Sequence, residues 1–417
     1  MSIHYISGND PTAVKQIAEQ FGFCLVRGLF TRAEAEALEN QLAAEHRARG
    51  GRLPDLYSVP SLRPLMTDTR VLGLAHALMG DDLVYYRQTN LLYEATPGDN
   101  THKPFTDFHC DARGTPLNVH EPMQSPFEKI YPAWRFATYF RDYQNHSGGL
   151  KLAVGSHLIR YDGMRIYNDV NEVRKLEKGT VRIGNVDVEK IRQPSFELFN
   201  VPSQPGDVVI FNLRTFHSAG AVRFSARPAL ALLPHVERQL QISPIGAQVC
   251  APTPPGCRNA IFFDFAKPSL DADLYIKWCA LRVSTNADML TQFSNDPSSE
   301  FQIRNDSLIV AFTLHLDAQL AARGIDTGAG NPLPPDLAAH ARTLLALGRS
   351  HREFSPHHAL LDAAAIAALA GQNDNRALAE VMRSVKARFA AASADLARLR
   401  ERAPPQALKP MAAPAVA

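Results

Sequence analysis

The sequence predicts a mainly β core, an antiparallel sandwich or barrel, with flanking helices and a helical C-terminal extension. Three observations lead there. From about residue 82 the chain breaks into the short strand-like runs DLVYYRQTNLLYEA, FTDFHCDA, AWRFATYFRD, LKLAVGSH, FELFNV, DVVIFNL and ARPALALLPHV, separated by Gly, Pro, Asn and Asp turns. Ahead of them, residues 11 to 80 read as mainly helical. Beyond the linker GIDTGAGNPLPP the composition turns to Ala, Leu and Arg, and Leu378, Val381, Val385, Phe389, Ala392, Leu396 and Leu399 recur at spacings of three and four, one apolar stripe on a helix.

Residues 1–81 form a helical flank. In it Thr31 is placed to cap the helix that follows, with Glu34 at the capping-box position and Gly50 and Gly51 ending the run, and FCLVRGL is a strand between helices. Residues 82–267 form the core, with the polar, charge-rich insertion 158–197 as a lid and RNAIFFDFAK as a further strand. A helical extension covers 268–330, an Ala/Leu-rich helical segment 331–403, and a disordered tail 404–417. The apolar stripe of the C-terminal helices must be covered, by the β core, by the neighbouring helix, or by a second copy in a homo-oligomer.

At 417 residues the chain can bury a large core. Lys and Arg total 44 against 42 Asp and Glu, a formal net charge of +2, with no block of like charges before residue 330. That balance excludes the concentrated basic stripe of a nucleic-acid or anionic-membrane partner. Five cysteines without a CxxC spacing indicate neither a disulfide scaffold nor structural zinc, and fit a reduced cytosol. No basic region precedes an apolar run at the N-terminus, so the expectation is a soluble, unprocessed cytoplasmic protein.

The chemistry concentrates in two stretches. His109 and Asp111 stand two apart in FTDFHCDARG, and on a strand that spacing turns both side chains to one face while Cys110 faces away. One imidazole and one carboxylate are half of a site for a redox-active divalent metal, and two histidines with a carboxylate on one triangular face leave positions open for substrates. His217, after the Pro205-Gly206 turn and the apolar strand DVVIFNL, supplies the second imidazole. Ten residues later stands Arg227. On a strand antiparallel to that of His217, its planar fork could grip a carboxylate beside the metal. Arg223 competes for that task, but ARPALALL is the better strand, although Pro228 limits its pairing.

The order HxD, NHSGGLKLAVGSH, PGDVVIFN, His, Arg resembles the phytanoyl-CoA dioxygenase superfamily, which includes ectoine hydroxylases, over roughly residues 82–235. The sequence departs from the pattern at Ala153-Val154-Gly155, where the family usually has a proline before Gly-Ser-His. The resemblance implies a double-stranded β-helix of jelly-roll or cupin type, and an Fe(II)- and 2-oxoglutarate-dependent dioxygenase with His109, Asp111 and His217 as metal ligands. It implies chelation of the iron by the 2-oxo acid, Arg227 on the far carboxylate, O2 as second co-substrate, and hydroxylation of a small molecule with release of succinate and CO2. Halogenating relatives replace the carboxylate with a small residue, so Asp111 points to hydroxylation. Gln88 and Asn90, which share a face with Tyr86, match a Gln and Asn of ectoine-hydroxylase-like relatives and are candidate co-substrate or substrate contacts. Ser218 and Thr138 are further candidates for hydrogen bonds to the co-substrate, unless they serve only neighbouring backbone groups.

HxD alone is a weak signal. His315-Leu316-Asp317 repeats it on a stretch that reads as helix, where i and i+2 diverge. His235-Val236-Glu237 fits the looser HxE form but lacks a following PGD turn, histidine and arginine. His357-His358 read as surface residues, and Lys175, Lys178, Lys190 and Arg192 as solvated loop charge. The competing reading is a cupin-like metal-dependent isomerase or binding protein that does not use 2-oxoglutarate; such a protein would have no need of a carboxylate clamp.

Overall fold

The computed structural model describes residues 5–7, 10–51, 53, 56, 59–86, 91–93, 108–111, 130–158, 180–183, 186–189, 197–233, 237, 240, 243–274, 277, 314–325, 342 and 345. The chain divides into two compact units, residues 1–113 with 120–272, and residues 114–119 with 273–417. The first unit opens with β1 (Tyr5–Ser7), α1 (Pro11–Phe21), β2 (Phe23–Arg27), α2 (Arg32–Ala48) and α3 (Thr69–Met79). Asp10 caps α1 through its side chain. Thr31 and Glu34 close the expected capping box on α2, whose end is followed by Gly50 and Gly51 at positive φ.

The strands β3 (Val84–Tyr86), β4 (Leu91–Leu92), β5 (Ala133–Tyr139), β6 (Gly149–Ala153), β7 (Thr180–Ile183), β8 (Val186–Glu189), β9 (Leu198–Asn200), β10 (Val208–Asn212), β11 (His217–Ala221) and β12 (Ala260–Ala266) follow. A seven-stranded sheet runs β1-β2-β10-β5-β12-β3, with β4 also on β12, and a smaller one runs β11-β6-β9. Apart from the parallel β1–β2 pair the pairings are antiparallel. From β9 onward successive strands change sheet: β9 lies in the small one, β10 in the large, β11 in the small and β12 in the large.

The period-two pattern sorts side chains between two cores. Cys24, Val26, Trp134, Phe136, Val208, Ile210, Ile261 and Phe263 join Val14, Ala18, Leu42 and Leu74 of the three helices. The alternate residues Phe23, Leu25, Ala137, Tyr139, Val209, Phe211 and Ala260 meet Leu150 and Leu152 of β6. The large sheet is therefore covered on both faces, which is why β5 and β10 are buried at every position. Gly206 makes the turn before β10 at φ 96, where a Cβ would come 2.3 Å from the Phe30 carbonyl. The Gly206 carbonyl accepts from Phe30 N at 2.9 Å.

Two expectations change. Of FTDFHCDA only residues 108–111 are described, and there His109 forms an isolated bridge to His217 at the edge of the small sheet. The described part of ARPALALLPHV, residues 226–233, forms no strand: the chain turns over 225–229, and β12, from RNAIFFDFAK, pairs with β5. Pro228 and Pro234 cannot donate to a ladder, whereas AIFFDFA contains neither proline nor glycine. In the 158–197 insertion the described parts include a two-stranded hairpin, β7 with β8. In the second unit, residues 314–322 are helical, as predicted for the His315 copy of HxD. Apart from residues 342 and 345, the 331–403 segment and the helices considered for a homo-oligomer lie outside the described residues. Among the described residues no helix is long and apolar enough to cross a membrane.

Candidate metal centre

The metal-binding pattern is assembled by backbone pairing. His109 N donates to His217 O at 2.9 Å and His217 N to His109 O at 2.8 Å, setting the two imidazoles side by side with ring centroids 4.4 Å apart. Asp111, two residues beyond the bridge, brings Oδ2 to 3.4 Å from His217 Nε2. One ligand atom from each of His109, Asp111 and His217 lies within 4.8 Å of the others.

His217 is held from below by the Gly-Ser-His turn. Ser156 Oγ accepts from Phe216 N at 2.9 Å, and Phe216 O accepts from Ala153 N at 2.9 Å. On the other side Asn212 anchors the preceding turn, its Oδ1 accepting from Arg214 N and its O from Thr215 N. His157 packs against Gly22, where a Cβ would stand 2.5 Å from its Nδ1. The departure at Ala153-Val154-Gly155 leaves this support intact.

Electrostatics favour a metal-binding form. Burial pushes the His217 imidazole down to about 4, opposed by the Asp111 carboxylate. Its Nδ1 lies 3.0 Å from Thr215 O, which can only accept, so the proton sits on Nδ1 and Nε2 turns its lone pair toward Asp111. Two imidazoles and a carboxylate converging this closely suit a ferrous ion and leave the rest of its coordination sphere for small molecules. Phe211 covers the His217 ring at 5.0 Å and limits water from that side.

The remaining predicted residues do not join the triad. Arg227 is exposed on the turn after β11, its N donating to Phe224 O at 3.2 Å. The clamp geometry required a strand antiparallel to that of His217, and this segment turns instead. Arg223 is buried but spends its guanidinium on the Tyr143 and Pro228 carbonyls. Ser218 pairs with Lys151 in β6, while His217 pairs with Leu152 of the inner core. Alternation therefore turns Ser218 to the outer face and gives the inward position to Ala219. Thr138 is buried and shares the parity of Trp134 and Phe136, toward the helices. Gln88 and Asn90 lie outside the described residues.

The sequence reading missed Arg135 and Asp264. They are paired opposite one another in β5 and β12 on the inward face, and Arg135 grips Asp264 with Nε to Oδ1 at 2.7 Å and Nη2 to Oδ2 at 2.8 Å. Its Nη1 reaches Asp111 Oδ2 at 2.6 Å. Burial pushes the Asp264 carboxyl up, opposed by the guanidinium. A signal was available: AWRFATYF and AIFFDFA are each apolar strands broken by one charge of opposite sign, and a buried charge demands a partner.

Among solved structures, the chain is similar to the non-heme α-ketoglutarate-dependent epimerase SnoN from nogalamycin biosynthesis (16% identity, 62% of this chain and 82% of that one, TM-score 0.39). It is also similar to the carbocyclase SnoK from nogalamycin biosynthesis (17%, 61% and 83%, TM-score 0.36), and to EctD from S. alaskensis with 2-oxoglutarate and 5-hydroxyectoine (14%, 64% and 80%, TM-score 0.35). Scores this low bear on neither its fold nor its reaction. No curated protein matches the sequence. Residues 18–228, just over half of the 417, match the phytanoyl-CoA dioxygenase (PhyH) family, and the protein belongs to that family of iron- and 2-oxoglutarate-dependent oxygenases.

Proposed function

We propose that the protein is an Fe(II)/2-oxoglutarate-dependent hydroxylase of a small molecule, built on a double-stranded β-helix. The observation that carries this reading is the convergence of His109, Asp111 and His217 within 4.8 Å in a chain of this family. A ferrous ion bound there, with 2-oxoglutarate and O2, supplies oxidation of a substrate C–H bond to C–OH as the co-substrate loses CO2 and becomes succinate. Each part of the chain has its own task. His109 and His217 offer imidazole nitrogens, and Asp111 a carboxylate oxygen that lowers the charge of the ion. The backbone bridge between the two histidines keeps their separation constant, so the site exists before any ligand arrives. Phe211 shields one side of the centre.

The test is anaerobic titration of the purified protein with Fe(II) and 2-oxoglutarate, then admission of O2 with a library of small metabolites while succinate is measured. A weak visible metal-to-ligand band, followed by substrate-dependent succinate and a product heavier by one oxygen atom, is expected. A protein that binds Fe(II) but shows neither band nor succinate would remove 2-oxoglutarate from the reading.

A further inference from the structure

Resting on this metal reading, we propose that Arg135, braced by Asp264, is a positioning residue for Asp111: a strut from the large sheet that holds the carboxylate ligand beside the two imidazoles. Three observations carry it. Arg135 and Asp264 face each other in neighbouring strands of the large sheet, whereas the triad is assembled on the β11 edge of the small one. The guanidinium is 5% exposed and Asp264 fully buried, so the pair is shielded from the water that weakens exposed ion pairs. The two-toothed grip of Asp264 fixes the plane of the guanidinium and aims Nη1 at Asp111 Oδ2, 2.6 Å away.

Asp111 needs such a strut. It follows a single-residue bridge, with a bend in place of a continuing strand, so the ladder that orients His109 does not extend to it. Its side chain is 18% exposed, and a carboxylate left to rotate there would sample orientations that miss the imidazoles. Arginine suits the task where lysine would not, because one planar group must meet two carboxylates from different directions. Arg135 reaches the metal position through Asp111, so the effect proposed for it is on metal affinity and coordination.

The experiment uses the full chain and Mn2+ alone as probe, with the bound fraction read from the EPR signal of the free ion. The double variant Arg135→Met/Asp264→Leu removes the strut at constant net charge; loss of the nearer guanidinium would by itself strengthen cation binding, so a fall in affinity reports position and not field. Exchange of a buried ion pair for apolar residues of similar volume is commonly tolerated by the fold. Arg135→Lys keeps the charge and loses the fork, giving a second, milder variant. We expect Mn2+ affinity to fall ten- to a hundredfold in the double variant, the range for loss of a residue that orients a metal ligand. A smaller loss is expected in Arg135→Lys, and the Co2+ ligand-field spectrum should change in both, with melting temperatures near that of the parent. Parent-like Mn2+ affinity in both variants overturns the strut while leaving the metal centre standing. Absence of Mn2+ binding by the parent overturns both.

Discussion

Two buried ion pairs lie on opposite sides of the small sheet, and their difference shows what a metal site requires. Lys151 and Glu237 form one of them, both fully buried. Lys151 also donates to Leu232 O, and Glu237 accepts from Val222 N and Leu232 N. Burial pushes the lysine down and the glutamate up, each opposed by its partner. Charge and hydrogen-bonding capacity close on themselves, and the pair fastens the excursion between β11 and β12 to the back of β6. Arg135 and Asp264 form the other, but there the cation is shared with a second carboxylate, Asp111. There one guanidinium bridges two carboxylates, and Asp111, the outer of the two, faces the imidazoles of His109 and His217. The closed pair serves the fold, whereas the trio turns one carboxylate toward the two imidazoles.

Breaking the open trio should have the largest effect on function and little on folding. Asp111→Ala is expected to reduce 2-oxoglutarate turnover to background while the melting temperature stays within a few degrees, because it removes a carboxylate whose own partner keeps Asp264. Unfolding of this variant, seen by circular dichroism, would show that the trio is structural after all. The reverse holds for the closed pair. Lys151→Met leaves Glu237 buried without its cation and should cost about 3–5 kcal/mol of stability, measured by urea unfolding. A cost below 1 kcal/mol would mean that water reaches the pair.

A third test concerns a buried group that belongs to neither pair. Burial pushes His157 down to about 4 from the ordinary 6.5 of an imidazole. The unfolded chain therefore takes up the proton first as the pH falls. Its contribution to stability is intact above pH 6.5 and is lost progressively toward pH 4, by up to about 3 kcal/mol. His157→Gln should flatten the melting-temperature profile between those limits, and a parallel profile would contradict the shift. The smallest expected effect is at Arg227. From its exposed position, Arg227→Ala should change the apparent 2-oxoglutarate requirement less than twofold. A rise of tenfold or more would show that the turn closes onto the centre during turnover, as the spacing from His217 suggests.

The triad was legible because its chemistry is written in local periods. His109-Cys110-Asp111 is one pleat of extended chain, and His217 follows a Pro-Gly turn and an apolar strand, signals that need no knowledge of distant partners. The same tripeptide at His315 falls on a helical pattern, and the structure makes it helix. The positions of Arg227 on a turn and of Ser218 opposite Lys151 were not legible, for another reason. The spacing of an arginine from a histidine says nothing about which strand follows in the sheet, and the chain runs some forty residues past His217 before β12 docks on β5. A one-residue difference in parity, Ser218 against Ala219, decides which side chain faces inward.

The sequence by itself determined the strand-rich core, the capped helices ahead of it, and the three candidate metal ligands, since each rests on spacing within a short stretch. Only the tertiary structure decided that Arg135 and Asp264 stand opposite each other and reach Asp111, and that Arg227 does not. Those facts depend on strand register between segments more than a hundred residues apart. Register there is set by the fit of two whole sheets, not by any residue's neighbours in the chain.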